Sequence, residues 1–256
     1  MMSNNIQTTA STMQSTIIAS EDGNNTYLVK RTFPERTGNK ALFIQLYPTL
    51  TAKDIDTMDN TMLHLMNHLD DLNLKEIAFA NLFSKVCKAR PSVTSLGVDE
   101  ENLNQIKQFM QQEDFKDYYI VFAWGSSMKD NEIANEMKRR IIKMYWDIVP
   151  KGVLWQLTAD DIYLMNDSAT HVLYMGIRHK RSKWKLEPYL VPLELQPEET
   201  EEKPNRKKDK QQEIKQNQGT KQADKKETNQ KQEDQKQATT KESSKLTLMK
   251  GVTSDV

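Results

Sequence analysis

Ala41-Leu42-Phe43-Ile44-Gln45-Leu46-Tyr47, stopped by Pro48, is the stretch whose reading decides the fold. An apolar run of this length, nearly continuous and closed by proline, marks a strand buried on both faces of a sheet. Beyond Pro48 the period changes. Thr51-Ala52-Lys53-Asp54 opens a helix, and Met58, Met62, Leu65, Met66, Leu69 and Leu72 continue it at three- and four-residue steps. A second buried strand is expected at Ile77–Phe83. Asp99 then stands as a capping residue before the helical stripe Leu103, Ile106, Phe109 and Met110.

The same alternation continues downstream. Tyr118–Gly125 reads as a strand, and Ile133, Met137, Ile141, Met144, Tyr145 and Ile148 as a helix stripe. Gly152–Leu157 and His171–Met175 read as closing strands. Upstream, Thr26–Arg31 is a short strand, followed by a turn rich in Pro, Gly and Asn at Pro34–Asn39. Buried strands alternating with amphipathic helices predict an α/β fold, a three-layer α/β/α domain with a mostly parallel central sheet.

Composition sets the ends of that domain at residues 26–196. Residues 1–25 are a leader rich in Ser, Thr, Asn and Gln, read as disordered. Residues 197–256 are a Lys-, Glu- and Gln-rich tail without an aromatic residue, read as disordered because it has too little apolar surface to offset its chain entropy. The apolar steps Leu246-Thr247-Leu248-Met249 near the end can serve as a docking motif, so the tail is a place to recruit a protein partner, or they are simply a frayed terminus. The mean hydropathy of −0.76 averages over these unlike segments.

Thirty-six basic and 36 acidic side chains leave no net field, so an anionic partner must be met by a local patch. The single cysteine, Cys87, excludes an intrachain disulfide and a multi-thiolate metal site. The leader lacks a basic start followed by a long apolar stretch. No window approaches the ~18 apolar residues of a membrane helix. The reading is therefore a cytoplasmic protein without a membrane partner.

In open α/β sheets, ligands lie outside the carboxyl ends of the strands. Here those ends offer Tyr47 and Pro48, Asn81 to Phe83, Trp124 and Gly125, and the segment around His171. No P-loop, dinucleotide glycine fingerprint or Gly-x-Ser-x-Gly elbow occurs, and no motif calls for a cofactor. His64 and His68 share a helix face with Asp71 nearby, a spacing that suits either a metal or a solvated surface. Asp54, Asp56 and Asp59 cluster after the first buried strand. Asp54 is the expected helix cap, while Asp59 suits a general base or acceptor in a cleft. Asn81, at the polar end of an apolar strand, can read a nucleobase edge or satisfy a neighbouring loop. Trp124 beside Gly125 is either a stacking surface or core. The run Arg178-His179-Lys180-Arg181-Ser182-Lys183-Trp184-Lys185 places Arg178, Lys180, Arg181, Lys183 and Lys185 around one indole. It is either a grip on a nucleic-acid backbone with a base stacked on Trp184, or a solvated loop.

Five short motifs stand in order: Leu46-Tyr47-Pro48-Thr49, Asp59-Asn60-Thr61, Asn81-Leu82-Phe83, Ala123-Trp124-Gly125 and His171-Val172-Leu173-Tyr174. Together they give the stretch from Tyr27 to about Leu195 a resemblance to the bacterial and phage family catalogued as domain of unknown function 1643. That family's pattern runs Asn-Pro-Ser/Thr, Asp-Pro-Thr, Asn-Leu-Phe, Ala-Trp-Gly and His-Pro-Leu-Tyr. Tyr47 replaces its Asn and Val172 its Pro, so the role of that Asn does not carry over. The resemblance implies a phage, mobile-element or bacterial origin but no reaction. The layout is also similar, more distantly, to uracil-DNA glycosylases. That likeness implies Asp59 to orient water, Asn81 to read the base and His171 to stabilise the departing base anion. Two functions are thus expected as alternatives. One is a nucleobase- or nucleic-acid-directed enzyme acting on a nucleobase, nucleotide or DNA, with Tyr47, Pro48, Phe83, Trp124 and Gly125 around the ligand. The other is a non-catalytic accessory protein that binds the same partners.

Overall fold

The computed structural model describes residues 7–89, 96–160 and 169–196. The apolar run that begins at Ala41 forms β3 (Asn39–Gln45) at the middle of a seven-stranded sheet. The other strands are β1 (Gln14–Ala19), β2 (Thr26–Thr32), β4 (Leu74–Asn81), β5 (Tyr118–Phe122), β6 (Leu154–Ala159) and β7 (Trp184–Pro188). Their order across the sheet is β1-β2-β4-β3-β5-β6-β7. Ala41, Leu42, Phe43 and Ile44 are fully buried, as burial on both faces requires.

Helices cover both faces. Met62 and Leu65 of α1 (Asn60–Met66) and Val172 and Met175 of α4 (Val172–Arg178) join Phe43, Ile77 and Phe79 in the core on one side. On the other side, α2 (Glu100–Met110) and α3 (Glu132–Ile148) bring Leu103, Ile106, Met137 and Ile141 onto Leu42, Ile44 and Ile120.

The sheet is mixed rather than mostly parallel. β4, β3, β5 and β6 are mutually parallel, but β1 pairs antiparallel with β2, β2 with β4, and β7 with β6. Apolar runs report burial, not direction, and the two strands that run against the parallel four, β2 and β7, flank them on either side. β1 lies inside the leader expected to be disordered. Its side chains alternate between exposed and half-buried, with Ile17 and Met13 reaching the core, so this polar edge strand carries little apolar signal.

Three local readings also change. Thr51–Asp54 closes on itself as a capping box around a single 3₁₀ turn, and the helix proper starts only at Asn60, capped by Asp59. His171–Met175 is the start of α4, not a strand; a short apolar run does not distinguish the two. The end of the basic run enters β7, with Trp184 at 0% exposure. The tail at 197–256 and its Leu246–Met249 steps lie outside the described residues.

Candidate functional site

β4 lies on one side of β3 and β5 on the other, so the chain changes direction at β3. The carboxyl end of β3 is therefore where an open α/β sheet forms its crevice. Gln45 and Asn81 are register partners at the ends of β3 and β4. Each stands two residues after a phenylalanine, Phe43 and Phe79, that faces α1, so both carboxamides face that side too. They line a cavity of about 30 Å³ with Tyr47, Pro48, Thr49, Asp59 and Met62.

The polar groups of this cavity are only partly engaged. Gln45 is 7% and Asn81 4% exposed. Gln45 Nε2 is buried without a partner among the described residues. The Asn81 main-chain oxygen accepts from Asn102 Nδ2 at 2.7 Å, which pins the end of β4 to α2. Its side chain makes no hydrogen bond to a described residue. Buried carboxamides left with open capacity are costly unless a ligand or water completes them.

Asp59 belongs to the same cavity but is already employed. One oxygen accepts from Met62 N at 2.8 Å as the cap of α1, and the other accepts from the Thr49 hydroxyl. That second bond latches the Tyr47–Leu50 loop to the helix. Cys87 N donating to Pro48 O at 2.9 Å holds the loop from the other side.

His171 caps α4, with Nδ1 accepting from Leu173 N at 3.1 Å, so the ring proton sits on Nε2. Burial pushes its pKa below the ordinary imidazole value, and the Asp59 charge only partly opposes this. The ring is neutral at pH 7. Gly125, at φ +66°, lies against it: a side chain there would bring Cβ within 3.1 Å of His171 Cβ. Gly125 N donates to Ala169 O at 2.6 Å, joining the ends of β5 and the His171 segment.

The structure thus brings Asp59, Asn81, Tyr47 and Pro48 to one cavity. It places His171 and Gly125 together at the same sheet edge, outside the cavity's lining. It removes Phe83 and Trp124 from the expected ligand contacts, since both are buried in the opposite core. Trp124 stacks on Phe122 at 4.1 Å, with Lys138 Nζ 5.5 Å over its ring. Trp184 is removed as a base-stacking surface, because its indole stacks face to face on His68 at 3.9 Å and donates to His179 O. Lys185 is paired with Asp160 and Glu187, whereas Arg178, Lys180, Arg181 and Lys183 are exposed.

The histidine pair separates as well. His68 Nδ1 meets Asp71 Oδ2 at 2.8 Å under Trp184, while His64 packs against Gly176 of α4. No group of three His, Cys, Asp or Glu side chains is placed to hold a metal among the described residues. Sequence reasoning missed Gln45 and Thr49. Gln45 had a signal, as the one polar residue inside the apolar run from Ala41 to Tyr47.

No helix among the described residues is long and apolar enough to cross a membrane. No curated protein and no solved structure matches this chain. The family model described as protein of unknown function (DUF1643) matches residues 26–157, just over half of the sequence and the part that supplies Gln45, Asn81 and Asp59, and the chain belongs to that family.

Proposed function

We propose that the cavity at the carboxyl ends of β3 and β4 is a recognition site for a nucleobase or a ligand of similar donor and acceptor pattern. The observation that carries this is the pair of adjacent carboxamides, Gln45 and Asn81, buried and with unspent hydrogen-bonding capacity. Two amides side by side present donors and acceptors together, which suits the edge of a planar heterocycle. At about 30 Å³ the cavity has room for roughly one water. Entry of a base therefore requires the Tyr47–Leu50 loop to release Thr49 from Asp59.

In the catalytic version of this reading, Asp59 orients water and the neutral His171 donates from Nε2 to the departing base. A specific observation favours the version without chemistry: each Asp59 oxygen already serves a structural hydrogen bond, and His171 lies outside the cavity lining. The exposed Arg178, Lys180, Arg181 and Lys183 supply phosphate contacts if the base is part of a strand.

The test is a product and thermal-shift screen of the full chain with free bases, nucleosides and uracil-containing single-stranded DNA, run beside Asn81→Ala and His171→Ala. Stabilisation lost in Asn81→Ala is expected. Base release that also requires His171 establishes the enzyme. DNA binding that is unchanged in both variants and depends only on the four basic residues rules out the cavity as the recognition site.

A further inference from the structure

One buried charge beside this cavity takes no part in reading a base. Arg31 on β2 is 0% exposed, and its hydrogen bond among the described residues runs from Nη2 to Thr57 O at 3.1 Å. Nε and Nη1 are buried and find no partner among the described residues. A guanidinium kept for the fold alone is ordinarily paired with a carboxylate through two parallel N–H bonds. Two carboxylates are close enough for their charges to act on it, Asp56 and Asp59, and neither is hydrogen-bonded to it. Asp59 accepts instead from Met62 N and the Thr49 hydroxyl, and Asp56 is exposed.

The position of Arg31 is fixed by the ladder. Val29 pairs with Phe79 and Arg31 with Ile77, so Arg31 is the next residue along the face on which Val29 and Phe79 line the cavity. Asp56, Thr57 and Met58 are all exposed, and the bond to Thr57 O ties that segment to Arg31. The segment lies between Asp54 and Asp59, next to the latch that must open to admit a base.

We propose that Arg31 is the anion-binding group of this site and that the ligand it serves carries a phosphate. This rests on the reading of the cavity as a nucleobase site, and narrows it to a nucleotide. The base edge meets Gln45 and Asn81. Displacing the Ile55–Met58 segment takes Thr57 O away from Nη2, and two phosphate oxygens then accept from the Nε and Nη2 edge of the guanidinium.

The experiment compares uridine, uridine 5′-monophosphate and inorganic phosphate as ligands of the full chain, by thermal shift and by NMR of arginine Nε–H groups. The monophosphate is expected to raise the Tm beyond uridine, and inorganic phosphate to raise it alone. Arg31→Met should lose both phosphate-dependent shifts and keep that of uridine. A phosphate increment that survives in Arg31→Met overturns the proposal. Should that variant fail to fold, the wild-type spectrum decides: phosphate must move the Arg31 Nε–H resonance, and an unmoved resonance is the contrary result. Uridine binding through Gln45 and Asn81 with no gain from phosphate refutes Arg31 and leaves the cavity reading standing. Phosphate binding through Arg31 with no uridine binding does the reverse.

Discussion

His171 shows how one side chain couples local geometry to solution behaviour. It is held neutral by burial while its Nδ1 serves as a helix cap, so protonation opposes the fold twice: it charges a desolvated ring and removes the acceptor that Leu173 N uses. Because the folded pKa lies below the unfolded one, this contribution is complete above the unfolded value of 6.5. It is lost as the pH falls from there through the folded value. The Tm of the wild type should therefore drop as the pH is lowered below 6.5, as followed by circular dichroism. His171→Asn, which keeps a capping acceptor without a titrating ring, should flatten that part of the profile. An unchanged slope would show that other groups carry it. The site residues announce themselves in different ways: Asn81 as a polar break in an apolar run, Asp59 as one of three aspartates after the first buried strand, and His171 at the head of the apolar Val172–Met175 run. Trp124 and Trp184 misled because an aromatic next to a turn has the same appearance whether its ring faces a ligand or the core; only the neighbours, Phe122 and His68, distinguish them.

At the scale of elements, two contacts control the site. The first is the seam between α1 and α4, where Gly176 admits His64 so closely that an added methyl would overlap the imidazole ring. Gly176→Ala should cost about 1–3 kcal/mol in chemical denaturation through overpacking; a neutral result would mean that the seam is looser than this contact implies. The second is the Thr49–Asp59 latch. Thr49→Val removes the hydroxyl that holds the Tyr47–Leu50 loop closed and leaves the Asp59 cap intact. It should raise apparent ligand affinity by about threefold to tenfold, measured by calorimetry, because less closed state must be displaced. The long helices α2 and α3 were legible from periodicity and from Asp99 as a cap. Of the short ones, α1 was legible as a helix but read too long at both ends, and α4 was read as a strand: with seven residues, a strand and a helix place apolar residues alike.

For the whole molecule, the alternation of buried strand and amphipathic helix was enough to give the α/β class, helices on both faces and the β3 edge as the place to search. The mixed character of the sheet was not legible, since β2 and β7, the strands that run against the parallel four, carry no sign of direction in their own residues and β1, which pairs with β2, is a polar edge strand. Deleting residues 1–25 removes β1 and the half-buried Met13 and Ile17, and should lower stability by about 2 kcal/mol while leaving a cooperative transition. An unaltered melt would return that segment to the status of a dispensable leader. A chain ending at Gln196 is expected to melt like the full one.

Gln45 and Asn81 must act together if the cavity reads a planar ligand, and the direct measurement is calorimetric titration of uracil and uridine into the wild type, Gln45→Ala and Asn81→Ala. Binding to the wild type that weakens by about tenfold or more in each variant, for the loss of hydrogen bonds in a buried site, is the predicted result. Equal affinity in all three proteins, or none in the wild type, would contradict it.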